Sequence, residues 1–334
     1  MVNALATTVG QRFGKAVVST ARVGQQAGLL GPVVALVALC VIFSLAAPRF
    51  GTVSNFMLIA QQVVTVGTLA IGQALIILVA GIDLANGVVM VLSTVVMASL
   101  ATSGVPIPLA VLCGFAVVLC IGVFEAGTVA GLGLTPFIIT LGLFTATRAG
   151  AQIWAGGAPV TGVPSGLLVL GDTWYIAGAA VPIGPLVMIG VLLVTWYALS
   201  QTAWGRHVYA VGNDPAAARL SGVRVKWVLA SVYLAASIIY GITALLFLGR
   251  TTVADPSAGL MFNLESITAV VIGGISLFGG RGSVIGALVG ALIVGVLRNG
   301  LTIVGIDALY QHIAVGLLVI LAVGLDRVRT RERG

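Results

Sequence analysis

The chain has 334 residues, 59% of them hydrophobic and only 7% charged. A water-soluble fold carries about a quarter of its residues charged, so this composition excludes a soluble globular enzyme, a disordered protein and a coiled coil. Forty-five glycines and a mean hydropathy of +1.18 indicate a polytopic membrane protein with closely packed helices.

Gaps between charges mark the spans. About 20 apolar residues cross the hydrocarbon as a helix, and the backbone has no water to bond there, so each gap is predicted helical. The predicted fold is all-α with about ten transmembrane helices. They cover Leu29–Ala47, Asn55–Val79, Ala85–Ala101, Pro108–Ala130, Pro136–Ile153, Pro182–Leu199, Trp227–Leu248, Ser266–Phe278, Ser283–Gly300 and Ala308–Leu325. The eighth is short enough to be broken or re-entrant. Leu29–Ala47 has a small-residue site at Ser44–Ala47, as in a signal peptide, but the hydrophobic spans behind it favour an uncleaved first helix.

The remaining segments are a basic tail at 1–28, a polar Gly/Pro-rich loop at 154–181, a basic loop at 201–226 and a basic tail at 326–334. Twelve of the sixteen basic residues fall on the side holding the tails and the 201–226 loop. Basic residues collect in cytoplasmic loops, so both termini and the 201–226 loop are predicted cytoplasmic, and the 154–181 loop external. The net charge of +7 is explained this way, without a nucleic-acid partner. Cys40, Cys113 and Cys120 lie in apolar stretches without metal or disulfide spacing.

Within the spans, Asp83 is placed to cap the third helix. Glu125 and Arg148 sit in or near adjacent spans. A charge in hydrocarbon costs at least about 2.5–3.5 kcal/mol, so each is expected to line a path, to join an ion pair or to snorkel. Gly127xxxGly131 and Gly286xxxGly290 are patterns of helix packing faces. In the basic loop, Asp214 or Asn213 caps a short helix, Pro215 fits its first position, three alanines favour it, and Gly222 suits a left-handed stop. Such a helix either lies on lipid headgroups or docks into a partner's groove; its alanine face buries little in lipid.

No GxxxxGK[ST], HExxH or GxSxG is present, and the two histidines, His207 and His312, are far apart in sequence. Neither a nucleotide site nor a catalytic triad is expected.

Four stretches resemble the permease subunits of ribose-type sugar ABC importers. They are Arg206–Gly222, Gly81-Ile82-Asp83-Leu84, Thr135–Gly142 with its Pro136-Phe137 start, and Ala269–Ser283 with Gly279-Gly280-Arg281-Gly282. They occur in the family's order, and the resemblance runs from about Leu29 onward. It departs at Ala85-Asn86-Gly87, where Ser-Val-Gly is usual, and at Glu125-Ala126-Gly127, where many members carry Asn-Gly.

The resemblance implies a multi-pass bacterial inner-membrane subunit that works as a pair, homomeric or heteromeric. ABC ATPase subunits would hold ATP and magnesium, so the chain itself would carry no cofactor. They would dock on Gly212, Asn213, Pro215, Ala216, Ala217, Arg219 and Gly222. An extracytoplasmic binding protein would deliver a ribose-, xylose- or galactose-like monosaccharide; Asp255, Asn263 and Glu265 are candidate contacts for it, or caps of the eighth helix. Path candidates are Gln62, Gln73, Asn86 and Thr140, because neutral polar groups suit a neutral polyol, Phe137 as an aromatic face, and the intramembrane charges Glu125 and Arg148. The alternatives are a related permease for a branched-chain amino acid or polyol, and an ion-coupled secondary transporter.

Overall fold

The computed structural model describes residues 29–176, 179–311, 313–318 and 320. The predicted tails at 1–28 and 326–334, and the end of the tenth span, lie outside the described residues. The described chain is helical apart from one two-stranded hairpin. Six of its helices are long and apolar enough to cross a membrane. These are α1 (Leu29–Ala46), α2 (Val53–Leu78), α4 (Ile107–Ala126, continuing to Gly131), α7 (Ile183–Gln201), α10 (Val225–Thr251) and α12 (Val284–Ile303).

Shorter helices account for the other predicted spans: α3 (Asn86–Thr102, 17 residues) and α11 (Phe262–Ile272, 11 residues). Residues 308–311 and 313–318 are also helical. α5 (Pro136–Trp154) has 19 residues but carries Arg148 and Gln152. The eighth predicted span needs correcting. α11 begins before Ser266 and stops at Ile272, and the glycine-rich 273–283 segment that follows is not helical.

α2 is the axis of the bundle. The span-length window of α2 is 83% buried, against 6% for α1. It packs on α10, α12, α11 and α7, whereas α5 rests mainly on α3. Thr52 starts α2, its hydroxyl accepting from Asn55 N–H at 3.4 Å, and Ser283 starts α12 likewise on Ile285 N–H at 3.3 Å.

Small residues set the closest approaches. On α12 a Cβ at Gly286 or Gly290 would run into the Gly273 or Ala269 carbonyl of the α11 segment, so this pattern is a packing face. Gly127xxxGly131 is not. A Cβ at either position would meet open space, and the segment forms a π-helical turn. The Lys226 ammonium donates to the Gly131 carbonyl at 3.1 Å, satisfying a group at the end of that turn.

The 154–181 loop contains short regular elements. It holds α6 (Ser165–Leu168), a 3₁₀ turn and an antiparallel hairpin of β1 (Thr173–Ile176) and β2 (Ala179–Pro182), with Thr173 opposite Pro182. The 3₁₀ turn lies against the end of α10, where a Cβ on Gly171 would strike Gly249. The 201–226 loop forms two helices rather than one, α8 (Ala203–Asn213) and α9 (Pro215–Leu220). Thr202 caps α8 through Gly205 N–H at 3.2 Å, and Trp204 Nε1 donates to Ser231 Oγ on α10 at 2.7 Å.

Candidate functional site

α9 is specified by its own residues. Asp214 Oδ1 accepts from the N–H groups of Ala216 and Ala217 at 2.8 and 3.0 Å, satisfying free amides of the first turn. Pro215 follows at the first helical position, where no donor is needed. At the other end Gly222 takes φ +84°, with its N–H on the Arg219 carbonyl and Val223 N–H on the Ala218 carbonyl, both at 3.0 Å. Ala218 faces inward. Asn213, Pro215, Ala216, Ala217 and Arg219 are exposed, and Leu220 is 91% exposed.

The base of this knob is seated on α2. A Cβ on Gly212, near the end of α8, would run into the Leu78 carbonyl. That carbonyl also accepts from Gly280 N–H at 2.9 Å. Gly280 itself has φ +68° and abuts the Asn213 backbone, so only glycine fits there. Tyr209 OH of α8 donates to the Gly282 carbonyl at 2.9 Å.

Just beyond Leu78, α2 ends in a left-handed stop. Gly81 N–H bonds the Ile76 carbonyl and Ala80 N–H the Ile77 carbonyl, both at 2.9 Å. The left-handed position is held by Ala80 at φ +61°, where glycine is usual. The 81–84 turn that follows is fixed on several sides. Asp83 Oδ1 accepts from Ala85 N–H at 2.7 Å, ahead of α3, and Asp83 Oδ2 from Tyr240 OH at 2.9 Å. Thr140 Oγ1 of α5 donates to the Ile82 carbonyl at 3.1 Å, and Asn263 Nδ2 to the Leu84 carbonyl at 3.0 Å.

Beside this turn Asn86 Nδ2 donates to Ser266 Oγ at 2.8 Å and to Gln73 Oε1 at 2.9 Å. Turned over, the Gln73 amide instead pairs with the Asp83 backbone at 3.2 and 3.3 Å. Gln73, Asp83, Asn86, Thr140 and Ser266 are fully buried. All four stretches that carry the family resemblance therefore meet at one place, between the α9 knob and the middle of the bundle.

The other path candidates scatter. Glu125 is buried beside the π-helical turn, with Oε1 lacking a partner among the described residues. Arg148 is exposed on α5, as is Phe137, so Glu125 and Arg148 form no ion pair. The proposed binding-protein contacts divide as well. Asp255 is half-exposed and caps Ser257 N–H at 2.8 Å, whereas Asn263 and Glu265 are buried and engaged inside the chain.

A second polar locus lies at the opposite end of α2. Arg298 Nη2 and Glu265 Oε1 form an ion pair at 2.7 Å, and Asn55 Nδ2 donates to Asn299 Oδ1 at 3.0 Å. Beside them is a cavity of about 280 Å³, with Gln62 and Arg250 also on its wall. The exposed apolar residues Leu220 and Phe278 at the knob end were not singled out by sequence reasoning. A Phe between Gly274 and Gly279, in a segment too short to bury it, was the available signal.

The chain matches the family model described as branched-chain amino acid transport system, permease component, over residues 55–323. It is 42% identical to the fructose import permease protein FrcC of Rhizobium meliloti, across 84% of this chain and 79% of that one. It is 33% identical to the ribose import permease protein RbsC of Bacillus subtilis, across 90% and 93%. It is 32% identical to the D-allose transport system permease protein AlsC of Escherichia coli, across 85% and 87%. No solved structure matches. The match spans most of this chain and of these relatives, and the chain belongs to this family of multi-pass cytoplasmic-membrane ABC permease components.

Proposed function

We propose that this chain is the membrane subunit of an ABC importer for a monosaccharide. An extracytoplasmic binding protein delivers the sugar, and ATP hydrolysis on partner subunits drives its passage. The observation that carries this reading is the similarity, at 33–42% identity, to permeases named for ribose and fructose import. About ten spans, with both termini and α9 on the cytoplasmic side, accord with the basic residues of the 201–226 loop.

α9 is the ATPase contact. Pro215, Ala216, Ala217, Arg219 and Leu220 form its outer surface, and Gly212 and Gly222 fix its base and end. Movement of this small helix reaches the Leu78 carbonyl through Gly212 at the end of α8, and from there the buried 81–84 turn. A packed junction of this kind passes displacement on because it cannot deform smoothly.

A second permease copy completes the path. α5 rests mainly on α3 and leaves Phe137, Thr145 and Arg148 exposed. A guanidinium at that depth is expensive in lipid and favourable in a wet channel between two copies. Gln73, Asn86 and Thr140 support the wall of that path from behind.

The test is uptake of labelled D-fructose, D-ribose and D-allose by proteoliposomes that hold the full chain, its neighbouring ATPase and its binding protein. ATP-dependent uptake of one of these sugars, indifferent to a protonophore, is expected. Uptake that needs no ATP and collapses with a protonophore would overturn the reading in favour of ion coupling.

A further inference from the structure

The cavity at the end of α2 away from α9 is separate from the coupling junction. Its wall is built from Gln62, Arg250, Phe262, Glu265, Arg298 and Asn299. Two of these are more than nine-tenths buried yet keep unused hydrogen-bonding capacity. Asn299 spends its oxygen on Asn55, and its amide nitrogen makes no hydrogen bond among the described residues. Glu265 gives Oε1 to Arg298, and Oε2 is left open. Gln62 and Arg250 stand exposed at the rim, with no side-chain hydrogen bond among the described residues.

The cavity thus offers planar donors and acceptors together with apolar side chains, among them Phe262, held edge-to-face against Phe247 at a centroid distance of 5.4 Å. A pyranose or furanose presents both kinds of surface, with hydroxyls around its edge and C–H groups on its faces. Sites of this kind combine an apolar surface with a few placed polar groups. The placed groups are also preorganised, since the Arg298–Glu265 and Asn55–Asn299 pairs lock their rotamers.

A cavity of about 280 Å³ has room for a sugar ring. Arg298 and Glu265 neutralise each other, and hydroxyls can bond to both partners of the pair; Arg250 leaves one further guanidinium at the rim, a donor for a hydroxyl oxygen and the reason an anion is the competitor in the test.

We propose that this cavity, contained within a single subunit, is a low-affinity binding site for one neutral monosaccharide, taken up before the sugar enters the path between subunits. This rests on the sugar-permease reading above and adds to it a site that each copy carries independently.

The test uses the full chain in lipid nanodiscs, without partners. Saturation-transfer NMR is recorded with D-fructose, D-ribose and D-allose at millimolar concentration, and with sodium phosphate as a competitor. At least one sugar is expected to give a saturable signal that phosphate does not displace. Gln62→Leu and Arg250→Leu, both at the exposed rim, are expected to weaken it about tenfold, as loss of a hydrogen bond to a charged or amide group does. No saturable signal with any of the three sugars, a signal unchanged in both variants, or displacement by phosphate would each overturn the proposal. ATP-driven uptake by the assembled complex is read in parallel. If it persists while the nanodisc signal is absent, the cavity assignment fails and the importer reading stands.

Discussion

The N–H of Gly280 donates to the carbonyl of Leu78 at 2.9 Å, at the point where Gly212 also abuts that carbonyl. One oxygen at the end of α2 thereby joins α8, the 273–283 segment and the break before α3. The mechanical account depends on this junction being tight, and the consequences can be measured.

Gly212→Val should disrupt the junction. The added side chain has backbone on its far side and nothing flexible to displace, and overpacking of this kind costs about 1–3 kcal/mol. The thermal midpoint of the detergent-purified chain should fall and ATP-driven uptake should be lost. An unchanged midpoint would show that α8 is not seated on α2.

Ala217→Glu tests α9 without disturbing the bundle, because Ala217 is exposed. The midpoint should stay within about 0.5 kcal/mol of the parent's stability. ATPase-driven uptake should fall by at least about tenfold, as when a charge enters a docking groove. Normal uptake would remove α9 from the coupling route.

Tyr240→Phe should destabilise the chain by about 1–3 kcal/mol, since Asp83 Oδ2 then loses the partner shown for it in a fully buried site. Thermal unfolding of the variant in detergent reads this directly. The conservative change keeps the ring, so a loss cannot be assigned to packing.

Ala80→Gly should stabilise the chain by about 1 kcal/mol, because an alanine at φ +61° sits where glycine carries no steric penalty. A higher thermal midpoint is expected. A lower one would mean that the Ala80 methyl group contributes more by its packing near Gly279 than its strain costs.

The parts of this site that were legible in the sequence are those set by local chemistry. The α9 helix follows from Asp214, Pro215 and Gly222, which act within a few residues of one another, and Asp83 could be placed at the head of α3 for the same reason. What depends on which way a helix turns was not legible. Asn263 and Glu265 were expected to meet a binding protein or to cap the eighth helix, yet the packing of α11 on α12 and α2 turns both inward. Glu125 and Arg148 occupy neighbouring helices in sequence, but α5 presents Arg148 away from the bundle. Gly127 and Gly131 have the spacing of a packing face, but the π-helical turn there points them into open space. Alanine at the left-handed position after α2 hid a helix stop that glycine would have announced.

The most direct test of the account is a cysteine placed at Ala217, in a chain whose Cys40, Cys113 and Cys120 are replaced by serine or alanine, within the assembled transporter. A short bifunctional thiol–amine reagent should join this residue to the ATPase subunit, and the joined complex should no longer transport. If the cysteine is instead labelled by a membrane-impermeant reagent added outside intact cells, or joins to no ATPase, then α9 is not the element that receives the force of ATP hydrolysis.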